Sequence, residues 1–184
     1  MIKLLVENIL AHPREFNWSV QGLGQMRCYL APQVRLHVWD RALLVPGVSA
    51  IHTHPWDFKS TIIAGRMVNR RFLVSKTAGT EYNRVRIACG ENAHVVGEAE
   101  VVHLIEQNLE QYFENGFYFQ KAEEIHVSLP EDGTVTIVER QPKTDTEHAD
   151  IYWRGHGAWV DAKPRPATGD EVRAVTLRAL ETWF

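Results

Sequence analysis

The segment SAIHTHPWDFKSTIIAGRM contains two histidines, His52 and His54, that are separated by one residue. On a β-strand alternate side chains point to the same face, so both imidazoles would lie on one side with Cα atoms about 6–7 Å apart. Nitrogens at that spacing can bind one transition-metal ion through bonds of about 2.0–2.1 Å. Because two histidines rarely hold a metal tightly, the pair predicts a metal site that takes a third ligand from elsewhere in the chain.

Short segments in which apolar and polar residues alternate would form the strands that position these histidines. Such runs predict strands between about residues 24 and 140, separated by turn residues such as Pro46-Gly47 and Asp132-Gly133. Apolar residues at helical spacing predict a helix before Pro13, and the capping box Thr168–Glu171 begins a second helix. We therefore predict an all-β fold, a closed barrel or jelly roll, with short N-terminal and C-terminal helices.

The local sequence also predicts a turn at residues 115–116. The sequence QYFENGFYF places Asn115-Gly116 between aromatic residues, which predicts a two-residue type I′ hairpin between adjacent strands.

Length and composition are those of one ordinary globular domain. The chain has 184 residues, of which 45% are hydrophobic and 23% charged. We expect a single domain over residues 1–184, with its core at about 24–140 and a C-terminal loop and helix at 141–184. The net charge of −3 gives no electrostatic reason to expect nucleic acid or an anionic membrane as partner. The expected partner is a small-molecule substrate or ligand, and a homodimer is the expected assembly.

The two cysteines indicate a reducing environment. Cys28 and Cys89 form no CxxC motif and are too few for a disulfide framework, so we predict free thiols. The N-terminus MIKLLVENILAHP lacks a signal-peptide core, and no later segment is long enough to span a bilayer. The expected location is the cytoplasm.

The histidine segment resembles the first sequence motif of the cupin superfamily, G-x5-H-x-H-x3,4-E-x6-G. Gly47, His52, His54 and Gly65 occupy the matching positions, with Gly47 one residue closer than the motif requires. This resemblance implies a double-stranded β-helix, the cupin jelly roll, with a metal ion inside it.

A later segment, GFYFQKAEEIHVSLP, resembles the second cupin motif. Gly116 opens it and His126 occupies the ligand position, although the usual Pro-x-Gly turn is missing. Together the two motifs cover about residues 34 to 140. The resemblance implies that His126 joins His52 and His54 as a metal ligand.

The acidic residue of the first motif is absent, since Phe58 stands at its position. Cupins of the thiol dioxygenase type also lack this Glu and bind iron with three histidines alone, and the HPWDF wording resembles a group of bacterial cupins of uncharacterised activity. Asp57, one position away, is an alternative fourth ligand, which would bring the site closer to the 2-His-1-carboxylate arrangement. We favour a role for Asp57 in capping the turn after Pro55-Trp56.

Other residues are candidates for the pocket around the metal. Tyr118 lies eight residues before His126 and has the same strand parity, so it is a candidate to face inward and donate a hydrogen bond to oxygen or substrate, with plain aromatic packing as the alternative. Arg27, Arg35 and Arg66 are candidates to bind a substrate carboxylate, and the sequence does not choose among them.

The remaining aromatic and histidine residues receive structural interpretations. Trp56 and Phe58 are expected to form the wall of the pocket. Five further histidines are interpreted as ordinary half-buried or loop residues; they are His37, His94, His103, His148 and His156.

Three neutral imidazoles would leave a bound ion with its full 2+ charge and with open coordination positions. We therefore predict one divalent transition-metal ion, with iron favoured over nickel, zinc or manganese, and a non-haem Fe(II) dioxygenase that acts on a small polar molecule. The alternatives are a metal-dependent isomerase or lyase, a non-catalytic ligand-binding protein, and a metal-free epimerase that uses a His–carboxylate pair. Nitrogen ligands accept several metals, so the sequence does not identify the ion.

Overall fold

The computed structural model describes residues 1–89, 94–141, 147–155 and 163–184. In these residues the chain forms two α-helices, α1 (Ile2–Ala11) and α2 (Gly169–Trp183), a short 3-10 helix at Pro13–Glu15, and thirteen β-strands. The strands are β1 (Ser19–Gln21), β2 (Leu23–Ala31), β3 (Val34–Leu44), β4 (Ile51–His52), β5 (Phe58–Ala64), β6 (Arg66–Ser75), β7 (Thr80–Ala88), β8 (His94–Phe113), β9 (Phe117–Gln120), β10 (Ile125–Pro130), β11 (Val135–Arg140), β12 (His148–Trp153) and β13 (Arg165–Pro166).

The strands form two antiparallel sheets. The first has the order β13-β1-β2-β3-β11-β5-β9, and the second is a closed ring in the order β10-β4-β12-β7-β8-β6. The ring closes because β10 pairs with both β4 and β6, and because the long β8 pairs with β7 and then with β6. An all-β architecture with a helix at each end of the chain is therefore confirmed.

The main apolar core lies between the first sheet and the helices. Met26, Leu36 and Val38 on β2 and β3 are fully buried and pack with Val6 of α1 and Val175 of α2. Side chains alternate along a strand, so the residues between these apolar ones point to the opposite face of the sheet. That opposite face is available for a functional site.

The prediction of a hairpin at Asn115-Gly116 was wrong. A turn is present, in which the amide of Gly116 donates to the carbonyl oxygen of Phe113 at 2.8 Å. Asn115 has a φ of 68°, but a type I′ turn requires positive φ at both central residues and Gly116 does not have it. The two flanking strands also do not pair: β8 belongs to the second sheet, whereas β9 pairs with β5 in the first. The turn therefore transfers the chain between sheets.

The C-terminal region also differs from the expected loop. Within residues 141–184, β12 pairs with β4 and β7 and completes the second sheet. Its polar start, His148-Ala-Asp150, hid this strand from pattern analysis, although Tyr152 is only 2% exposed. The capping box is confirmed, since the Thr168 side chain accepts from the Glu171 amide and the Glu171 carboxylate accepts from the Thr168 amide. His156 lies outside the described residues.

Two smaller observations complete the fold. Cys28 is buried and Cys89 is half-buried, and among the described residues neither forms a disulfide. Burial raises the pKa of the Cys28 thiol to about 12, so this thiol is protonated at neutral pH. Neither of the described helices has the length and apolar character that crossing a membrane requires.

Candidate metal centre

Three histidines from separate parts of the chain converge on one point. His52 ends β4 and lies directly across the ladder from His126 on β10, and His54 follows in the loop that leads to β5. The Nε2 atom of His54 is 3.1 Å from Nε2 of His52 and 3.1 Å from Nε2 of His126. Among the described residues, these form the one group of three or more potential metal ligands, with ligand atoms within 4.8 Å of one another.

Hydrogen bonds on the far side of the rings fix which nitrogen carries the proton. Nδ1 of His52 lies 2.9 Å from the carbonyl oxygen of Ala50, and Nδ1 of His126 lies 2.9 Å from Oδ1 of Asn69. Both oxygens can only accept, so each Nδ1 is the donor and each Nε2 presents a lone pair to the centre of the cluster. His54 can donate a hydrogen bond to Nε2 of at most one of the other two histidines. A lone pair on at least one Nε2 therefore faces another nitrogen, unless a cation lies between the rings.

A buried chain of polar groups holds His126 in this orientation. The Nδ2 of Asn69 donates to Oε1 of Gln120 at 3.3 Å, and Nε2 of Gln120 donates to the carboxylate of Glu124 at 3.1 Å. Asn69 and Gln120 are both fully buried. Partners of this kind commonly orient metal-binding histidines by fixing the tautomer and the plane of the ring. Sequence analysis missed Asn69 because a single asparagine in the middle of β6, directly before Arg70 and Arg71, belongs to no recognisable motif.

Distances and protonation both suit a metal ion. Three nitrogens bound to one ion at about 2.0–2.1 Å would lie about 2.9–3.4 Å apart for angles between octahedral and tetrahedral, which includes the two observed separations. Burial lowers the pKa of His52 and holds the pKa values of His54 and His126 well below the usual range. The rings are therefore neutral at pH 7, as metal ligands must be. The cluster can hold a metal ion.

The loop that carries His54 is attached to the turn that precedes β10. The carbonyl oxygen of His54 accepts from the amide of Glu123 at 3.0 Å, and Oδ1 of Asp57 accepts from the amide of Ala122 at 2.6 Å. Asp57 is not part of the histidine cluster. It does not cap its own turn either, because its partner lies 65 residues along the chain. The carboxylate instead joins two loops, each of which leads to a histidine of the cluster.

Aromatic rings cover the cluster on the side of the first sheet. The ring centroid of Phe58 is 5.0 Å from that of His54 and 6.0 Å from that of His126. The Trp56 centroid is 4.6 Å from that of His54. An apolar ring thus occupies the position where the cupin motif has its acidic residue, and both aromatic residues line the pocket as expected.

A cavity of about 340 Å³ opens beside the histidines, between the two sheets. It is lined by all three histidines, by the aromatic residues and by polar side chains of β2 and β3. Within the described part of the chain, no aspartate or glutamate lines it, whereas Arg27, Arg35 and Lys163 do. The cavity is therefore cationic even before a metal ion is considered.

Tyr118 lines this cavity, but the parity argument that led to it was wrong. Tyr118 lies on β9 of the first sheet and His126 on β10 of the second, so the two residues do not share a strand. The Tyr118 hydroxyl is 3.3 Å from Oγ of Ser128, and its ring packs at 6.1 Å from that of Phe58. Burial raises the pKa of Tyr118, so the phenol keeps its proton at neutral pH.

The structure separates the three candidate arginines. Arg27 and Arg35 line the cavity, whereas Arg66 lies outside it, 3.2 Å from a carboxylate oxygen of Glu131. His37 is not part of the histidine cluster, but it is more deeply buried than expected, at 6% exposure, and lines the cavity. Its alternation with Arg35 along β3 was the available signal.

Among the residues that the structure describes, none of the other histidines expected to be half-buried or in loops joins the cluster. His94 is exposed, and His103 and His148 are half-buried on β8 and β12, outside the cavity lining.

Comparison with known proteins does not assign the chain to a family. A scan against models of protein families gives no match, and no curated protein matches the sequence significantly.

Proposed function

We propose that this protein is a cupin and a non-haem Fe(II) dioxygenase that acts on a small polar molecule at His52, His54 and His126. The observation that carries the proposal is the convergence of three imidazole Nε2 atoms, two of which, those of His52 and His126, belong to rings whose Nδ1 protons are directed outward. Support for the cupin assignment comes from the two motifs, since the histidines in their ligand positions meet inside a molecule made of two antiparallel sheets.

The ligand set determines what chemistry the ion would supply. A divalent iron held by three neutral nitrogens would keep its full charge and open positions for two small ligands at once. Around it, Trp56 and Phe58 exclude water from one side, and Asn69 fixes the His126 ring. The protonated hydroxyl of Tyr118 is a hydrogen-bond donor inside the same cavity. These residues bind and orient; none is a carboxylate able to serve as general base.

The first test is elemental analysis of gently purified protein beside three variants. We expect about one equivalent of a first-row metal in the wild type and its loss in H54A and H126A. The matched control is H103A, which removes a half-buried histidine outside the cavity and should retain the metal. A wild type that neither carries nor takes up a metal would refute the metal centre.

The second test separates oxidation from Lewis-acid chemistry. Iron-loaded protein, prepared without oxygen, is mixed with thiol, diketone and phenolic compounds, and oxygen consumption is followed with an electrode. The proposal predicts consumption with a member of this panel, abolished in H126A. Turnover that persists without oxygen would instead identify an isomerase or lyase. Metal-dependent thermal stability without any turnover would identify a ligand-binding protein.

A further inference from the structure

The cavity contains a second group of polar residues, on the two strands that face the histidines. In the β2–β3 ladder, Gln25 lies opposite Trp39, Arg27 opposite His37, and Tyr29 opposite Arg35. Residues at alternate positions share a face, and the intervening side chains fill the helix-facing core. This pattern places a compact set of hydrogen-bond donors on the cavity face of the first sheet.

Among the described residues the guanidinium groups of this set have no acidic partner, and Arg35 is buried while Arg27 is half-buried. Arg35 is 7% exposed, and its Nε makes no hydrogen bond. Nε of Arg27 is also unpaired, and another of its nitrogens donates to Oε1 of Gln21 at 3.0 Å. In the described portion of the chain neither arginine forms an ion pair with a carboxylate. A buried cation without a counter-ion is unfavourable, so an anion that enters the cavity would be stabilised there.

Repulsion between the two arginines strengthens this argument. Burial, and then the charge of Arg27, lower the pKa of Arg35 to about 10, so it is still protonated at pH 7. The Arg35 guanidinium stacks over the ring of Tyr29 at 4.8 Å and over that of Trp56 at 5.5 Å. These contacts fix its plane but supply no negative charge.

His37 adds a neutral donor to the same group. Nε2 of Gln25 is 3.0 Å from Nδ1 of His37, and an amide nitrogen can only donate, so Nδ1 of His37 accepts. The ring proton is then on Nε2, which is buried and has no partner. Burial and the nearby arginines hold the pKa of His37 well below its usual range, so this tautomer is the one present at pH 7.

We infer that Arg27, Arg35 and His37 form an anion pocket that binds the carboxylate group of a small organic acid. The planar arginine forks match a carboxylate, and the Nε2–H of His37 supplies a further hydrogen bond. Trp56 connects the pocket to the metal centre, because its ring lies 5.5 Å from Arg35 and 4.6 Å from the His54 ring. That the acid is the substrate rests on the proposed function; the pocket itself requires no metal.

The test is calorimetric titration of metal-free protein with acetate, phenylacetate, neutral phenylacetamide and inorganic phosphate. We expect at least one carboxylate to bind saturably, and phenylacetamide to bind about tenfold or more weakly than phenylacetate. R35M and R27M should each weaken carboxylate binding about tenfold or more. R35K keeps the charge without the fork and should fall between R35M and wild type. The matched control R66M removes an arginine outside the cavity and should bind carboxylates as the wild type does.

The melting temperature distinguishes loss of the pocket from misfolding of the variant. Removing a buried unpaired cation should stabilise the ligand-free protein, so we expect R35M to melt about 2–4 °C above wild type while it loses the ligand. Failure of both carboxylates to bind, equal affinity for phenylacetamide, binding of phosphate alone, or unchanged binding by R35M would each overturn the pocket.

Failure of the metal centre is distinguishable from failure of the pocket. H54A should lose the metal and still bind the carboxylate. Carboxylate binding by a wild type that takes up no metal would support the pocket and refute the proposed function. Full metal content without carboxylate binding would overturn the pocket alone.

Discussion

Asn69 determines whether His126 can act as a ligand at all. Its Oδ1 accepts the Nδ1 proton of His126, and its own amide group is held by Gln120. Because all three side chains are buried, water cannot substitute for a missing partner without a rearrangement. The protonation state of His126 in the candidate metal centre is thus set by an amide outside the histidine cluster.

We expect N69A to weaken metal binding about 10–100-fold, since it frees the His126 ring to rotate and to change tautomer. Metal affinity is measured by competition with a chromogenic chelator. The control is N108A, which removes an exposed asparagine on β8. Unchanged affinity in N69A would show that the ring is fixed by packing alone.

His37 should make stability depend on pH near neutrality. Its folded pKa is depressed below the unfolded value of about 6.5, so the unfolded state binds more protons between these two values. The contribution of His37 to the free energy of unfolding is therefore fully present above pH 6.5. It declines at lower pH, by at most about 1.4 kcal/mol per pH unit. Relative to wild type, H37Q should lose less stability between pH 7.5 and 5.5 in urea unfolding. Parallel pH profiles of the two proteins would contradict this assignment.

At the scale of elements, hydrogen bonds between two loops hold the histidines of the cluster close together. Asp57 and the carbonyl group of His54 accept hydrogen bonds from consecutive amides, those of Ala122 and Glu123. Glu123 has a φ of 63°, a conformation uncommon for a residue with a side chain. The loop is thereby held in the form that presents both amides to the other loop.

Two substitutions at Asp57 discriminate between an anchor and a fourth ligand. D57N keeps an oxygen acceptor for the Ala122 amide and should retain both the metal and the melting temperature. D57A removes the acceptor and should lower the melting temperature by about 2–8 °C, corresponding to about 1–2 kcal/mol. Metal content and differential scanning calorimetry are measured together. Loss of metal in D57N would mean that the carboxylate coordinates the ion.

Gly65 allows the tight turn between β5 and β6. Its φ is 86°, and a Cβ at this position would lie 2.9 Å from Cα of Thr134. We expect G65A to destabilise the fold by about 2–4 kcal/mol, since backbone strain and a clash with main-chain atoms add together. The control is G97A, where φ is 77° but nothing lies within 4 Å, so that only the strain remains, at about 1 kcal/mol. Equal losses of unfolding free energy in G65A and G97A, measured by denaturant unfolding, would show that movement of the main chain relieves the clash.

At the scale of the whole molecule, the metal ion would connect parts that the chain leaves separate. His52 and His126 belong to the second sheet, whereas His54 leads into β5 of the first. A ligand that binds the folded state alone stabilises it by about 2.7 kcal/mol at a concentration of 100 times Kd. Chelation should therefore lower the melting temperature by about 5–10 °C, and H54A should show no such change. An identical melting curve with and without metal would contradict binding to the folded state.

Local patterns predicted most elements but not how they pair. The strand runs, the N-terminal helix and the Thr168 capping box were visible because each depends on neighbouring residues. The Asn115 turn was recognised, yet the partner of each flanking strand was not, since pairing depends on which side chains must be buried across the molecule. His126 lies 72 residues from His54, and only the resemblance to a motif connected them.

The shortest strand has a consequence for the order of assembly. β4 contributes a two-residue strand, yet it lies between β10 and β12 and is needed to close the second sheet. Each of its pairings joins residues far apart in sequence, and such contacts form slowly because the intervening chain must first be ordered. His52 and His126 face each other across one of these pairings, so their imidazoles meet only when it has formed. A chain without this pairing would lack the candidate metal centre, and metal uptake would therefore report the native state.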